Sequence, residues 1–539
     1  MCGIYGYLGI QDHQLGEAMA RSLQHRGPDQ DGSFSDGALT LGIRRLSIVD
    51  PATGRQPISN EDQTVFVVCN GEIYNHVELR EALQERGHVF RSGSDTEVIV
   101  HLYEEYGADM LEHLRGMFGL ALWDAEQGTL LLARDRVGIK PLYYYLDGNV
   151  LVFASEIKAI LQYRGFTPEL NRDRLYAHSY FDYGDWTHIR QVREVMPGHA
   201  HTAVLDGNGV RMKKRCYWQA GYTADITDPD QAVEGIQRIM AEVIPQHLRS
   251  DVPCGFLISG GVDSNYVARM AREHINGDMR TFTFGSPVKN EFEDAGLMAS
   301  IYQSDHQEIL FAEQDVVQVF PRVMWALEAS EPRLFDASIP TYMIFREIGK
   351  HRKVVLCGEG ADELFGGYVK YFLPLYGDTP ALMREFPRHV NSLYKLNLQR
   401  VDKISMAHSV EARVPLLDHH LIEWAARIHP QVKLHGGKDK FPLRSAAAAV
   451  LPERIAWRKK EQSNTGTGMP EIISGWIQKN ISRKVLAGLP VRDLPPKKPG
   501  CWQPHSDEVY EKYNALLANL FYKQFVRREQ VESIEDVLR

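Results

Sequence analysis

The sequence lacks any apolar run of about 18 residues, the length that a membrane-spanning helix needs. Its N-terminus also lacks the basic flank and apolar stretch of a signal peptide. Cysteine is scarce, and the six cysteines show no CxxC spacing, a pattern typical of neither a disulfide framework nor a zinc site. We therefore expect a cytoplasmic protein without a membrane partner.

Positive charge is also in deficit, since the net charge is −9 and the pI is about 6.2. This balance gives no electrostatic reason to expect nucleic acid as a partner. The hydrophobic fraction of 44% and charged fraction of 24% are those of an ordinary globular protein. At roughly 100 to 200 residues per domain, a chain of 539 residues predicts two to four domains.

The two parts of the chain show different secondary-structure patterns. Up to about residue 200, short β-type runs at residues 64–68, 118–123 and 129–133 alternate with turn signals such as Asn70-Gly71. From about residue 230, buried-type strands at 254–258 and 353–357 each precede a glycine-rich turn, and the first turn leads into a helix near Asn265. We predict a layered domain at 2–205 and a parallel α/β domain at 230–539, with the boundary within 206–230.

Cys2 is a candidate nucleophile because removal of Met1 would place its thiol beside a free α-amine. An α-amine has a pKa of about 7.7 to 8.0, so at neutral pH it can accept the thiol proton directly or through a water. A chance cysteine near the N-terminus is the alternative.

Other residues of the first domain suit the hydrolysis of a free amino acid amide. Such a reaction needs an oxyanion hole, a guanidinium for the α-carboxylate and a carboxylate for the α-ammonium. Asn70 with the Gly71 N–H, Arg45 and Asp95 offer these groups in turn. Taken singly, each has a structural alternative, namely a hairpin turn, a surface ion pair and a helix N-cap.

Five motifs in order resemble the class II glutamine amidotransferase domain: Cys2-Gly3-Ile4, His25-Arg26-Gly27-Pro28-Asp29, Arg45-Leu46-Ser47-Ile48-Val49-Asp50, Asn70-Gly71-Glu72 and Gly93-Ser94-Asp95. The resemblance implies an N-terminal-nucleophile (αββα) fold, in which two sheets lie between helices. It also implies glutamine hydrolysis through a thioester at Cys2, with Asn70 and Gly71 in the oxyanion hole. Arg45, Asn70, Gly71, Glu72 and Asp95 would bind glutamine.

Residues 259–264, Ser-Gly-Gly-Val-Asp-Ser, join a predicted strand to a helix and so offer backbone N–H groups to a pyrophosphate. The turn is neither a Walker A loop nor a GxGxxG fingerprint. A second turn at 357–368 places carboxylates at the end of another strand. Asp263 and Asp362 form a plausible pair of oxygen ligands for Mg²⁺, whereas an acidic loop that only caps a helix is the alternative.

The second set of motifs resembles the glutamine-hydrolysing asparagine synthetases, whose pyrophosphate loop carries Ser-Gly-Gly-x-Asp-Ser. The matching residues are 259–264, 357–368, Asp402-Lys403, 406–418, Lys440 and Leu443-Arg444. The resemblance implies that ATP and Mg²⁺ convert a carboxylate to an acyl-adenylate, and that ammonia from the first site displaces AMP. It assigns charge neutralisation to Lys440, the base to Glu359, and nucleotide contacts to Ile258, Ser259, Gly260, Gly261, Asp263, Ser264, Phe284, Cys357 and Gly358.

The identity of the acceptor carboxylate is less constrained. Lys459-Lys460-Glu461-Gln462 with Gly466 and Gly468 resembles a stretch of the aspartate-using enzymes. Ser463 departs from the expected Phe, and Asp336 lies where one branch has an Arg, so we expect Asp336 to repel an acidic substrate. A different natural-product, sugar or peptide acid is the alternative acceptor, and a silent binding protein would require loss of Cys2, Asp263 or Glu359. A homodimer is left open by the sequence.

Overall fold

A computed structural model describes residues 2–175, 183–287, 289–459, 467–491 and 506–538. Within these ranges no helix has both the length and the apolar character needed to cross a membrane. The described residues form two six-stranded antiparallel sheets, followed by one five-stranded parallel sheet.

The first two sheets are built from residues 2–216. The strands are β1 (Cys2–Leu8), β2 (Gln30–Asp36), β3 (Leu39–Arg45), β4 (Ile58–Ser59), β5 (Val65–Ile73), β6 (Gly116–Asp124), β7 (Thr129–Arg134), β8 (Tyr143–Leu146), β9 (Leu151–Ala154), β10 (Val192–Glu194), β11 (His199–Asp206) and β12 (Gly209–Cys216). Their order is β10-β8-β9-β1-β3-β2 in one sheet and β12-β11-β7-β6-β5-β4 in the other. The helices here are α1 (His13–Ser22), α2 (His76–Glu85), α3 (Val98–Tyr106), α4 (Ile157–Ile160) and α5 (Arg172–Leu175).

The two antiparallel sheets pack face to face. Ile4, Leu41 and Ile43 of the first sheet share a buried core with Val68 and Leu132 of the second. The outer face of the second sheet packs on α2 and α3, and that of the first packs on α1 and α4. The expected αββα layering is therefore confirmed.

The parallel sheet has the order β15-β14-β13-β16-β17. Its strands are β13 (Cys254–Leu257), β14 (Arg280–Gly285), β15 (Asp305–Leu310), β16 (Val354–Leu356) and β17 (Glu411–Arg413). The strands β14 and β15 are added on one side of β13, and β16 and β17 on the other. The strand order therefore reverses between β13 and β16. Ligands of open α/β sheets bind at the carboxyl ends of the strands at such a switch point.

The helices of this half pack on the sheet and on one another. They are α6 (Pro229–His247), α7 (Val262–Arg272), α8 (Phe292–Tyr302), α9 (Glu313–Gln318), α10 (Phe320–Leu327), α11 (Pro332–Ile348), α12 (Ala361–Phe365), α13 (Val369–Phe372), α14 (Thr379–Ser392), α15 (Asn397–Met406), α16 (His419–Arg427), α17 (Pro430–Lys433), α18 (Phe441–Ala448), α19 (Glu453–Ala456), α20 (Met469–Asn480), α21 (Arg483–Gly488), α22 (Asp507–Phe521) and α23 (Glu535–Leu538).

Two local predictions were wrong. Asn70-Gly71 is not a turn after a strand but lies inside β5, whose ladder with β6 continues to Ile73. Within the predicted boundary segment 206–230, β12 continues the second sheet to Cys216. Helix α7 begins at Val262 rather than near Asn265, so the pyrophosphate-type turn is shorter than expected.

Buried ion pairs join the antiparallel half to the parallel half. Arg26 Nη2 donates to Asp402 Oδ2 at 2.9 Å, and Arg115 Nε donates to Asp418 Oδ2 at 2.9 Å. Both aspartates and Arg26 are almost fully buried. Removing one partner of such a pair leaves an uncompensated buried charge, so these motif residues fix the docking of the two halves.

Candidate functional sites

Cys2 opens β1 and lies directly opposite Arg45 of β3 in the antiparallel register. Residues opposite each other in such a pair project from the same face of the sheet, about 5 Å apart at Cβ. The Cys2 side chain is buried, and burial raises the pKa of its thiol. The thiol therefore needs a nearby base to become a nucleophile at neutral pH.

Asn70 of the second sheet meets Cys2 between the sheets. Its Oδ1 accepts a hydrogen bond from the Cys2 N–H at 3.0 Å, which fixes the side-chain amide. Its Nδ2 is buried and makes no hydrogen bond to any described residue. A fixed, desolvated and unused N–H donor beside a thiol is the arrangement that an oxyanion hole requires.

Gly71 is required by the approach of β6. A Cβ at this position would lie 2.0 Å from the Met117 carbonyl oxygen. The glycine allows β5 to continue past Asn70 in close contact with β6. Its position in the ladder sets the direction of the Asn70 side chain.

Arg45 and Asp95 are held on the same side of the antiparallel half. The Arg45 guanidinium donates to Gln30 Oε1 at 2.8 Å and to the carbonyl oxygens of Val49 and Asp50 at 2.8 and 2.9 Å. Asp95 Oδ2 accepts from the Ile73 N–H at 2.8 Å, at the end of the strand that carries Asn70. Both side chains are nearly buried, and the alternative of a surface ion pair for Arg45 is wrong.

Glu72 connects this site to the parallel half. Burial, with Glu411 and Asp95 nearby, holds the pKa of Glu72 well above its usual range. Its Oε2 lies 3.5 Å from Arg413 Nη2, and Arg413 belongs to β17. Arg413 was not among the predicted site residues, although the motif at 406–418 contains it.

A cavity of about 550 Å³ opens at the switch point of the parallel sheet. The predicted residues that line it are Ile258, Ser259, Gly261, Asp263, Ser264, Phe284, Cys357, Gly358, Glu359, Asp362 and Lys440. Gly260 does not line it: its N–H donates to Glu291 Oε2 at 3.2 Å, and a Cβ there would lie 1.5 Å from Arg458 Nη1. The structure thus brings two distant turns and one lysine to a single cavity.

Lys440 lies between the two predicted magnesium ligands. Its Nζ donates to both oxygens of Asp263 at 2.8 Å and to Asp362 Oδ1 at 2.9 Å. The side chain is fully buried, and the backbone is left-handed, with φ of 52°. Non-glycine residues in this region carry strain that commonly accompanies a functional site. Because Asp263 and Asp362 already bind the ammonium group of Lys440 together, their oxygen atoms also suit a metal cation.

Glu359 pairs with an arginine that the sequence reasoning missed. Arg400 Nη2 donates to Glu359 Oε1 at 2.7 Å, while Arg400 Nη1 donates to Thr341 Oγ1 at 2.8 Å. Arg333 and Lys370 also line the cavity. Proximity to the quoted Asp402-Lys403 motif was the only sequence signal for Arg400.

The expectation for Asp336 is wrong. Asp336 is fully buried in α11 and does not line the cavity, whereas Arg333 of the same helix does. Burial and the Asp336 carboxylate together hold the pKa of Tyr513 well above its usual range, so Asp336 faces α22. Of the 459–468 stretch, residues 460–466 lie outside the described residues, and Lys459 lines the cavity.

Comparisons with known proteins agree with this arrangement. A family model described as a glutamine amidotransferase domain matches residues 1–218, and one described as asparagine synthase matches residues 235–384 and 375–530. Asparagine synthetase [glutamine-hydrolyzing] 1 of Bacillus subtilis is 30% identical over 90% of this chain and 89% of its own length. Its Arabidopsis thaliana namesake is 33% identical over 90% and 82%.

Asparagine synthetase B of Escherichia coli is 34% identical over 87% of this chain and 83% of its own length. These relatives and both domain models span the antiparallel and the parallel halves together. The chain therefore belongs to the asparagine synthase family, whose members join a glutamine amidotransferase domain to an ATP-dependent ligase domain that forms carbon–nitrogen bonds.

Proposed function

We propose that this chain makes asparagine from aspartate, ATP and the amide nitrogen of glutamine. The observation that supports the proposal is that one chain combines two candidate sites. Cys2 and the buried Asn70 Nδ2, which makes no hydrogen bond to any described residue, lie in the antiparallel half, and the cavity with Lys440 lies in the parallel half. On this proposal residues 2–205, extended by β12, act as the glutaminase and residues 230–539 as the synthetase.

In the first step the Cys2 thiolate attacks the amide carbon of glutamine. The bond to nitrogen breaks, ammonia leaves, and water later hydrolyses the thioester to glutamate. After removal of Met1, the α-amine of Cys2 serves as the base. The Asn70 Nδ2 and the Gly71 N–H stabilise the oxyanion.

Glutamine is held by its α-carboxylate and α-ammonium. The Arg45 guanidinium attracts the carboxylate, and the Asp95 carboxylate attracts the ammonium. Glu72 lies on the synthetase side of the same pocket. Burial, with Glu411 and Asp95 nearby, raises the pKa of Glu72, which favours the neutral form of its carboxyl group.

In the second step an oxygen of the acceptor carboxylate attacks the α-phosphorus of ATP, and pyrophosphate leaves. The N–H groups at the start of α7 bind the phosphates. Asp263 and Asp362 would hold Mg²⁺, which would supply positive charge to the pyrophosphate. Lys440 exchanges its carboxylate contacts for the phosphates, a movement that a flexible ammonium allows.

Ammonia then attacks the acyl carbon and AMP leaves. Glu359 accepts the proton of the attacking amine, while Arg400 orients its carboxylate. Ammonia must stay unprotonated between the sites, which requires a water-poor passage. The apolar cluster that unites Leu46, Met117 and Val137 with Ile258 of the parallel half supports such a passage.

Aspartate is favoured as the acceptor by the charge of the cavity wall. Arg333, whose Nε donates to Glu331 Oε1 at 3.1 Å, and Lys370 line the cavity and would attract a second carboxylate of the substrate, whereas Asp336 faces elsewhere. An acid of another class is the alternative acceptor. Release of pyrophosphate from ATP and Mg²⁺, measured over a panel of carboxylates, decides between them. Aspartate should give the largest signal, and its silence beside another active acid would reject the proposal.

A further inference from the structure

Two histidines and two glutamates converge on the outer face of the antiparallel half, away from both proposed sites. They are Glu61 in the β4–β5 connection, His88 after α2, and His101 and Glu104 on α3. One ligand atom from each lies within 4.8 Å of every other. Since i and i+3 positions share one helix face, α3 presents His101 and Glu104 together.

The spacing of these atoms is close to that around a tetrahedral ion, with one oxygen of Glu61 near each histidine. With metal–ligand bonds of about 2.0 to 2.1 Å, zinc separates its ligand atoms by about 3.4 Å. The His101 Nδ1 lies 3.0 Å from Glu104 Oε2 and 3.4 Å from Glu61 Oε2. The His88 Nδ1 lies 3.5 Å from Glu104 Oε2 and 3.8 Å from Glu61 Oε1.

One further carboxylate orients the His88 imidazole, and another lies near the His101 imidazole. The His88 Nε2 lies 3.1 Å from Glu105 Oε1, and Arg86 Nη1 in turn binds Glu105 Oε2 at 2.6 Å. The His101 Nε2 lies 3.9 Å from Glu97 Oε1, and Glu97 is anchored by the N–H groups of residues 91 and 92. A carboxylate on the far nitrogen fixes the tautomer and leaves Nδ1 as the metal ligand.

The charges of the cluster also suit a divalent cation. Glu61 and Glu104 offer two carboxylates, whose charge one divalent ion would balance. Their side chains are held in place, since Glu61 Oε1 accepts from the Val89 N–H at 2.8 Å and Glu104 Oε1 accepts from Asn60 Nδ2 at 3.0 Å. The mixed nitrogen and oxygen donor set favours zinc over magnesium, which prefers oxygen ligands.

We propose that Glu61, His88, His101 and Glu104 form a structural site for a divalent transition-metal ion of the zinc type. The ion would join three separate segments of the antiparallel half. The chain between two of these segments, from His88 to His101, contains Asp95. The ion would therefore also stabilise the part of the chain that carries this proposed glutamine ligand. The proposal does not depend on the reaction that the two sites catalyse.

The test uses the full chain with the Cys2→Ala substitution, which removes one thiol that also binds zinc. After treatment with a chelator, Zn²⁺ or Mg²⁺ is titrated, and bound metal per chain and the thermal midpoint are measured. We expect one Zn²⁺ per chain, a raised midpoint, and affinity that weakens as histidine protonates at lower pH.

Variants on this background identify the ligands. His88→Ala and Glu61→Gln alter partly exposed ligands and should weaken zinc binding by about 100-fold or more, and Glu105→Gln by about 10- to 100-fold. His13→Gln changes an exposed histidine of the same half and should bind like the parent. Circular dichroism confirms the fold of each variant. Equal zinc affinity and stoichiometry in the parent, His88→Ala and Glu61→Gln would overturn the proposal.

Discussion

Replacing Asn70 with alanine tests the glutaminase site at its most specific contact. The substitution removes Nδ2, the buried donor that makes no hydrogen bond to any described residue, and Oδ1, which accepts the Cys2 N–H at 3.0 Å. Loss of one oxyanion-hole donor typically lowers kcat by about 10²- to 10³-fold, or about 2.7 to 4 kcal/mol in the barrier. Separately, the loss of the acceptor for the Cys2 N–H should lower the free energy of unfolding by about 1 to 3 kcal/mol.

Glutamate release and AMP formation should be assayed separately for this variant. With ammonium in place of glutamine, AMP formation should stay within about twofold of wild type, because the second site is untouched. Asn70→Asp retains the acceptor and the size of the side chain but not the donor, so it should lose glutaminase activity with a smaller loss of stability. Wild-type glutamate release by both variants would refute the assignment of Asn70.

Three further substitutions have distinct expected results. Lys440→Met leaves two facing carboxylates without their cation and should lower pyrophosphate release by about 10²-fold or more while glutaminase activity persists, as parallel assays would show. Gly71→Ala places a Cβ 2.0 Å from the Met117 oxygen and should lower the free energy of unfolding by about 1 to 3 kcal/mol in urea titrations. Burial lowers the pKa of Lys433 to about 7, below its usual value of 10.5. The unfolded chain therefore binds more protons between these values, and stability should rise with pH by up to about 1.4 kcal/mol per unit there. Lys433→Met should flatten that slope, and an unchanged slope would contradict the assignment.

The motifs of both sites were predictable because each one places a chemically special residue at the end or within the first turn of an element. A short stretch of sequence is enough to indicate the chemistry of three features: the thiol at Cys2, the Ser-Gly-Gly turn and the carboxylates after β16. The switch between sheet types near residue 230 was likewise visible in the change of hydrophobic pattern. These local signals were sufficient for a layered sheet domain followed by a parallel sheet, whereas the αββα order of the layers was implied by the resemblance to class II glutamine amidotransferases.

Contacts over long sequence separations were not predictable in the same way. The pairing of Arg400 with Glu359, and of Arg413 with Glu72, depends on how β17 and α15 pack, which a single sequence does not report. Asp336 was misinterpreted because residue type alone does not say which face of α11 it occupies. Asn70-Gly71 was assigned to a turn on propensity, but pairing with β6 overrides that preference.

The cluster of Glu61, His88, His101 and Glu104 has no recognisable metal-binding spacing in the sequence. Its members come from three segments that the packing of α3 on the second sheet brings together. Only His101 and Glu104 are close in sequence, and a histidine and a glutamate at that spacing are common on exposed helices. The distances between side chains in the structure, and not a sequence pattern, indicate this metal site.

The most direct test of the two-site account follows glutamate, AMP and asparagine together in one reaction with aspartate, glutamine, ATP and Mg²⁺. The account predicts that the three products form in equal amounts. It further predicts that Cys2→Ala abolishes glutamate formation but still makes AMP and asparagine from ammonium. Glutamate formation without AMP or asparagine at any aspartate concentration would contradict the claim that the two sites complete one amidation of aspartate.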